Sequence, residues 1–401
     1  MSGRRLSIGE NMRAMLNYPK FSGTTRMLVL ETEYFFDQSW VRAASTLGWQ
    51  CAAVSSAMTG GLTRDQVADL FRTVAEFKPD FIITSNYAGM DMHGLFAGFF
   101  EDAKIPYVSW FTDTPRMILF NRTVYTSNYS VAAVWERGYM PHLRSLGFEH
   151  VYFMPHATDP ALFSGEPIEN HIRQLAFVGD SMISHAEEAW EKLREFPDIE
   201  KAVRAAFSEN RMSRSEFAHG VERIIDPIIL DACEPRERRH LELCLVYEGT
   251  RRIREAMVRR LAPFGIEVHG DKHWNAVHSN THGDIGYFDK LAAFYRETAV
   301  NINSTSVQMA TALNQRVFDC PAAGGFLITD AQADLEEFFE LGTETATYSS
   351  LDELQYLVVR YREDAQARRR IVESARKRIL SQHTHAHRLK DLETYLKARF
   401  A

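Results

Sequence analysis

A chain of 401 residues exceeds the usual domain of about 150, so it has room for two or three hydrophobic cores. Its 46 Lys and Arg against 53 Asp and Glu leave a formal net charge of −7, which lacks the basic surplus of a nucleic-acid binder and disfavours nucleic acid as a partner. No run approaches the roughly 20 apolar residues of a membrane span, and the N-terminal MSGRRLSIGENMRAMLNYPKF lacks a signal-peptide apolar core. Four scattered cysteines, Cys51, Cys233, Cys244 and Cys320, suit buried, reduced thiols, and the expected location is the cytoplasm.

In chain order, MLVL (27–30) reads as a buried parallel strand, followed by a loop and a helix running to Leu47. LGWQCAAVSS gives a second strand. TRDQVADLFRTVAEF opens at a Thr63 cap and carries Val67, Leu70, Phe71 and Val74 on one face, so it is a helix. KPDFIITS, IPYVSWF and SVAAVW follow as strands, and this alternation predicts a doubly wound α/β sheet. After the first strand the loop is Glu31, Thr32, Glu33, Tyr34, Phe35, Phe36, with no Gly-x-Gly-x-x-Gly, which argues against a dinucleotide-dependent dehydrogenase. Two later loops carry polar groups suited to an acceptor: Asn86, Tyr87, Asp91 and His93, then Trp110, Asp113 and Arg116. Asp113 has two readings, a general base for an attacking hydroxyl or a cap of the helix that Pro115 begins. VYFMP is a short strand broken by HATDP, where His156, Thr158 and Asp159 are placed at a crossing between domains or in a plain turn.

QLAFVG begins a second sheet, and Gly179, Asp180 and Ser181 form its loop. From His185 to Ala262 the pattern is almost wholly helical and reads as an insertion; Arg251 and Arg252 are either a solvated face or a diphosphate contact. IEVHG is the next strand, ending at Gly270 before Asp271 and Trp274. The histidines 269, 273, 278 and 282, with Asp271 and Asp284, match no zinc signature and are read as a polar loop with no metal. A helix over 288–295 then precedes the strand AVNIN, a helix from Leu313 to Cys320 and the strand GGFLITD. Ligands of open parallel sheets lie beyond the carboxyl ends of the strands, which selects Asn303, Ser304, Thr305 and the following helix start with Asn314. Arg316 and Asp319 share one helix face, as a surface ion pair or as diphosphate and hydroxyl contacts. The remainder is helical, with basic faces that are solvated or, as a lesser alternative, weakly associated with anionic lipid.

NINS, NQRVFDCPAAGGFLITD, FFELGTETATYSSLDEL and ILSQHTHAHRL, in that order, resemble the C-terminal half of the CgeB-like glycosyltransferases. The resemblance implies a GT-B fold of two facing Rossmann-like domains. Residues 1–160 would form an acceptor-binding domain and 161–382 a nucleotide-sugar-binding domain with a helical insertion, while 383–401 would be a terminal helix returning to the first. It also implies a nucleotide-diphosphate sugar as co-substrate, an unidentified hydroxyl acceptor, and no further cofactor. Arg316 would then face the diphosphate and Trp274 or Tyr287 the base, with Gly179, Asp180, Gly270, Asn303, Ser304, Asn314, Asp319 and His156 around the substrates and Asp113 as base. One departure stands out: many related enzymes carry two glutamates separated by seven residues, whereas Asp319 and Leu327 hold those places here. A nucleotide-sugar epimerase and a catalytically silent nucleotide-binding scaffold are the rival expectations.

Overall fold

Strands that are apolar on both faces belong inside a parallel sheet covered by helices on each side. The computed structural model describes residues 9–32, 35–56, 62–120, 122–208, 221 and 224–401, and it builds two such sheets. The chain divides into two compact units, Met1–Pro155 with His385–Ala401, and His156–Thr384. Residues 33 and 34 of the loop after the first strand lie outside the described residues, as do 209–220 and 222–223 of the helical stretch.

The first unit contains β1 (Arg26–Glu31), β2 (Gln50–Ser55), β3 (Phe81–Ser85), β4 (Tyr107–Phe111), β5 (Ser130–Val134) and β6 (His150–Phe153), parallel and in the order β2-β1-β3-β4-β5-β6. Every residue of β3, β4 and β5 is buried, which explains why these segments read as uninterrupted apolar runs. Thr63 caps the helix Arg64–Phe77 in a full capping box with Gln66, as its sequence predicts.

The terminal helix His385–Phe400 belongs to this unit. Leu389, Leu392 and Leu396 recur at helical spacing, are wholly buried, and pack in one core with Met27, Val29, Trp40 and Trp110. Beside them the buried Glu393 accepts from the Thr25 hydroxyl and pairs with Lys390 at 2.7 Å and Lys397 at 3.0 Å. A buried carboxylate needs such partners, and the Thr25 bond fastens the helix to the start of β1.

The second unit contains β7 (Ala176–Val178), β8 (Glu267–His269), β9 (Thr281–His282), β10 (Asn301–Ile302), β11 (Leu327–Asp330) and β12 (Ala346–Tyr348). They are parallel and ordered β12-β11-β10-β7-β8-β9, the doubly wound order of dinucleotide-binding sheets. Between β7 and β8 lie the helices Ile183–Leu193, Pro197–Ser208, Pro227–Ala232 and Pro235–Leu261. The last of these has 27 residues, about 40 Å of helix. Its first half joins the insertion's own core through Leu241, Cys244 and Leu245, and its second half joins the sheet core through Met257, Val258 and Leu261.

Leu392→Ala removes a wholly buried side chain from the first unit's core. It should destabilise the chain by about 2–5 kcal/mol, read as a lower denaturant midpoint at unchanged slope.

Candidate functional site

In the second sheet β7 and β10 are neighbours, while the chain winds outward to β8 on one side and to β11 on the other. The crossover connections therefore part between β7 and β10, and the carboxyl ends of these two strands open a crevice. Residues 179–182 and 303–305 line it. Gly179 N–H donates to His269 O (2.9 Å), and Trp274 Nε1 donates to Gly179 O (2.8 Å). A Cβ on Gly270 would stand 2.3 Å from Gly179 O, so only glycine permits these two loop backbones to touch.

Arg316 ties the two strand ends together. Its Nη2 donates to Val178 O and its Nη1 to Asn303 Oδ1, each at 2.5 Å. Asn303 is fully buried and acts as a hub: its Nδ2 reaches Thr329 Oγ1 (2.9 Å), and its Oδ1 also accepts from Asn314 Nδ2 (2.9 Å). Its carbonyl accepts from the Tyr348 hydroxyl (2.8 Å). Asp330 accepts from Thr305 N–H (3.1 Å) and Oγ1 (3.0 Å), holding the loop that follows β10. Ser304 Oγ and Arg316 Nε are buried and have no hydrogen-bond partner among the described residues. A ligand seated in the crevice would satisfy Ser304 Oγ.

A second guanidinium reaches the loop after β7. Arg254 Nη1 donates to Asp180 O (2.6 Å), and the guanidiniums of Arg254 and Arg316 lie 5.9 and 5.5 Å from the Phe177 ring centroid. The sequence leaves Arg251 and Arg252 as either a solvated face or a diphosphate contact, and the structure gives both of them acid partners on their own helix. Arg251 is held by Glu248 (2.7 Å) and Glu255 (2.6 Å), Arg252 by Glu248 (2.6 Å). Arg254 shares the inward face of that helix with Met257 and Leu261, at a helical spacing that is present in the sequence but does not by itself single it out. Asp180 Oδ1 accepts from Met182 N–H (2.6 Å), and Ser181 is fixed by Asp271 through its N–H (2.5 Å) and hydroxyl (2.9 Å). Burial alone would raise the Asp271 carboxyl, but those bonds and the His273 N–H outweigh it and hold it below the usual range.

Other expectations shift. The helix of Arg316 begins at Arg316 rather than Leu313, because Asn314 and Gln315 take their side chains to Asn303 and Tyr287 and the first turn closes through i→i+3 bonds. Trp274 is 1 % exposed and packs edge-on against Phe177, so it supports the Gly179 loop and presents no free face for a base. Tyr287 sits against Phe163 and Phe288, and its hydroxyl donates to Asp319 (3.1 Å). Asp319 forms no ion pair with Arg316: it is buried and also accepts from Thr158 Oγ1 (2.7 Å). Burial pushes the Asp319 carboxyl up to about 8, although the Thr158 and Tyr287 hydrogen bonds oppose the rise. Leu327 is buried in β11, so no carboxylate stands at that place. His156 is buried at the start of the second unit. Three basic residues of the helix Ala365–Gln382 are matched by acids: Arg369 by Glu169 and Glu373, Arg376 by Glu166, Arg378 by Glu344. His383 packs against Phe318, Phe338 and Phe339.

In the first unit Asp113 follows β4 and Asn86 follows β3. Asn86 Nδ2 donates to Asp113 Oδ2 (2.9 Å), and Asn86 Oδ1 accepts from the N–H groups of Thr112 (2.9 Å) and Asp113 (3.2 Å). Burial raises the Asp113 carboxyl, with the Asn86 bond opposing it. The helix Pro115–Ile118 has Thr114 at its cap and no side-chain cap bond, so Asp113 does not act as its cap. Asp37, which the sequence does not single out, is buried and joins the ends of β1 and β3 through Thr32 N–H (2.6 Å) and Ser85 Oγ (3.2 Å).

Two parallel six-stranded α/β sheets, the second with its crevice at a topological switch point, define the GT-B class of fold. Residues 239–394 match a family model described as glycosyl transferase-like. Among solved structures it is similar to Anabaena HepE in complex with UDP and glucose, at 12% identity and a TM-score of 0.50, covering 93% of this chain and 100% of that one. It is also similar to sucrose-phosphate synthase from Thermosynechococcus elongatus (12%, TM-score 0.48, covering 93% and 99%). A DNA-modifying β-glucosyltransferase gives 10%, a TM-score of 0.49 and coverage of 94% and 100%. No curated protein matches the sequence. Among the described residues no helix is long and apolar enough to cross a membrane.

A carboxyl raised in the folded state contributes stability that is full below its unfolded value, near 3.9, and declines as pH rises toward the folded value of about 8. Asp319→Asn should therefore flatten the loss of stability between pH 5 and 8. Denaturant midpoints that fall in parallel for the variant and the parent protein would assign that pH dependence elsewhere.

Proposed function

We propose that the chain is a glycosyltransferase of the CgeB-like kind, moving a sugar from a nucleoside-diphosphate donor held by the second unit to a hydroxyl acceptor bound by the first. The observation that carries this reading is the pair of guanidiniums at the carboxyl end of β7, Arg316 on Val178 O and Arg254 on Asp180 O, with the unpartnered Ser304 Oγ in the loop after the neighbouring β10. In the reaction the bond from the anomeric carbon to the diphosphate oxygen breaks, and its electron pair leaves with the nucleotide. Arg316 stabilises that developing charge, which is the work a metal ion does in other architectures, so transfer is proposed to be metal-independent and to need no further cofactor. The acceptor oxygen bonds to the anomeric carbon. Its proton goes to Asp113 if configuration inverts, or to the departing phosphate oxygen if it is retained. The raised Asp113 carboxyl is a stronger base than an exposed aspartate, which supports the first route. The solved complex of HepE contains UDP, which makes UDP the first nucleotide to test.

Arg316→Ala should weaken UDP, or whichever nucleoside diphosphate binds, at least tenfold by calorimetry, about 1.4 kcal/mol. Because Arg316 also joins two strand ends, the melting temperature is measured alongside; unchanged affinity in a folded variant would remove Arg316 from the donor site.

Asp113→Asn keeps an oxygen for Asn86 and loses the basic one. Turnover should fall by about 10² to 10⁴ at unchanged UDP affinity and melting temperature. Near-normal turnover in the stable variant would favour the retaining route.

A further inference from the structure

Beside the donor crevice, at the edge of the second sheet, three potential metal ligands share one face. His269 of β8 and His282 of β9 are paired in parallel register, so their side chains project to the same side. Glu267 stands two residues before His269 on β8 and projects to that side as well. The two imidazoles stack with centroids 4.6 Å apart, and one ligand atom from each of the three residues lies within 4.8 Å of the others.

His269 is the reason to read this as a site rather than a surface cluster. It is 6 % exposed, its ring is packed edge-on against Phe294, and neither ring nitrogen makes a full hydrogen bond among the described residues, the Gly283 backbone offering only a weaker contact. A buried imidazole with a nitrogen left over is costly unless something occupies it. Burial, then the nearby His282 and Arg173, pushes its pKa down to about 4 against a favourable backbone interaction with Gly283. Glu267 stands 3.7 Å from Nε2, too far for a hydrogen bond.

We propose that Glu267, His269 and His282 bind a single borderline-soft divalent cation, with zinc the best match. Two imidazoles and a carboxylate are a donor set that zinc uses, and a fourth position is left for water. Tetrahedral zinc with ligand bonds near 2.1 Å sets its ligand atoms about 3.4 Å apart, so the site must contract on binding. The residues able to move are the two more exposed ones, His282 and Glu267, while His269 stays fixed. His282 Nε2 lies 3.2 Å from Asn280 Oδ1; donating there orients the ring and leaves Nδ1 for the metal. Arg173 Nε stands 3.5 Å from Glu267 Oε2 and competes for that oxygen, but Arg173 is shared with Glu297 at 3.4 Å, and the carboxylate has a second oxygen. The cation is not a participant in the sugar transfer. It clamps β9, an edge strand of two residues, onto β8, and the carbonyl of His282 is the acceptor of Gly270 N–H (3.1 Å) in the donor loop.

The test uses the full chain, stripped with EDTA and dialysed, and titrated with zinc chloride against a competing chromophoric chelator while melting temperature is followed. The parent protein should take up one zinc per chain and melt at a higher temperature with it, because the ion binds the folded state alone. Magnesium should do neither. His282→Gln changes an exposed side chain, so metal-free melting should be unchanged while zinc affinity falls at least tenfold; Glu267→Gln should weaken zinc as well. Absence of uptake by the parent protein, or His282→Gln binding zinc as tightly as the parent, would overturn the site. Because the readout is zinc binding, it stands apart from the proposed transfer. Loss of transfer in EDTA, restored by zinc in the parent but not in His282→Gln, would instead make the ion part of the catalytic machinery and overturn its clamping role.

Discussion

The bridge from Arg316 to Val178 O and Asn303 Oδ1 is the interaction on which the second unit's site depends. The strand ends it joins are the neighbours between which the sheet's crossovers part, so no covalent loop connects them directly there. A carbonyl at the end of a short strand needs a donor, and a half-buried guanidinium needs several acceptors. Each satisfies the other, and the charge is left in the crevice because the acceptors are a carbonyl and an amide rather than a carboxylate. Had Asp319 paired with Arg316, as helix spacing allows, the crevice would hold much less positive potential. The structure avoids this by turning Asp319 toward Thr158 and Tyr287, where burial favours its neutral form.

The same division of labour explains what can be read from the sequence. Segments such as FIITS, YVSWF and FLITD announce buried parallel strands because apolar residues on both faces leave no other placement. The principle that ligands sit at strand carboxyl ends then finds Asn303, Ser304 and Gly179 without knowledge of strand order. Roles that depend on long-range partners are not legible in this way. Trp274 has the makings of a stacking platform, yet an indole is just as well suited to fill a core and donate one hydrogen bond, and burial decides between the two. Asp319 and Arg316 share a helix face in the sequence, but the Thr158 hydroxyl, 161 residues away in the chain, sets the partner. Asp113 has the local pattern of a cap because Thr-Pro follows it; the competing amide of Asn86 is supplied by a different strand's loop.

Arg254 is hidden for a more instructive reason. Its helix carries arginines on several faces, and a solvated face is the ordinary reading for all of them. The discriminating signal is the acid spacing: Glu248 lies three residues before Arg251 and four before Arg252, and Glu255 four after Arg251, so these two have local partners. At the same spacings Arg254 meets Thr250, Arg251, Met257 and Val258, none of them acidic. It lies in register with Met257 and Leu261, and a cation on the apolar face of a helix is kept only where it meets an acceptor beyond the helix.

That helix also gives the insertion a mechanical part in the site. Over its 27 residues it runs from the insertion's core, through Thr250, whose hydroxyl accepts from Val307 N–H (3.2 Å) and lies 3.0 Å from Ser306 Oγ, to Arg254 at Asp180 O, and on into the sheet core at Met257. Both crevice loops, after β7 and after β10, are therefore fastened to one rigid element. A helix so long transmits a shift along its axis rather than absorbing it, since its interior is close-packed at both ends. The packing of the insertion's core at Leu241 and Leu245 consequently bears on the spacing of the two loops.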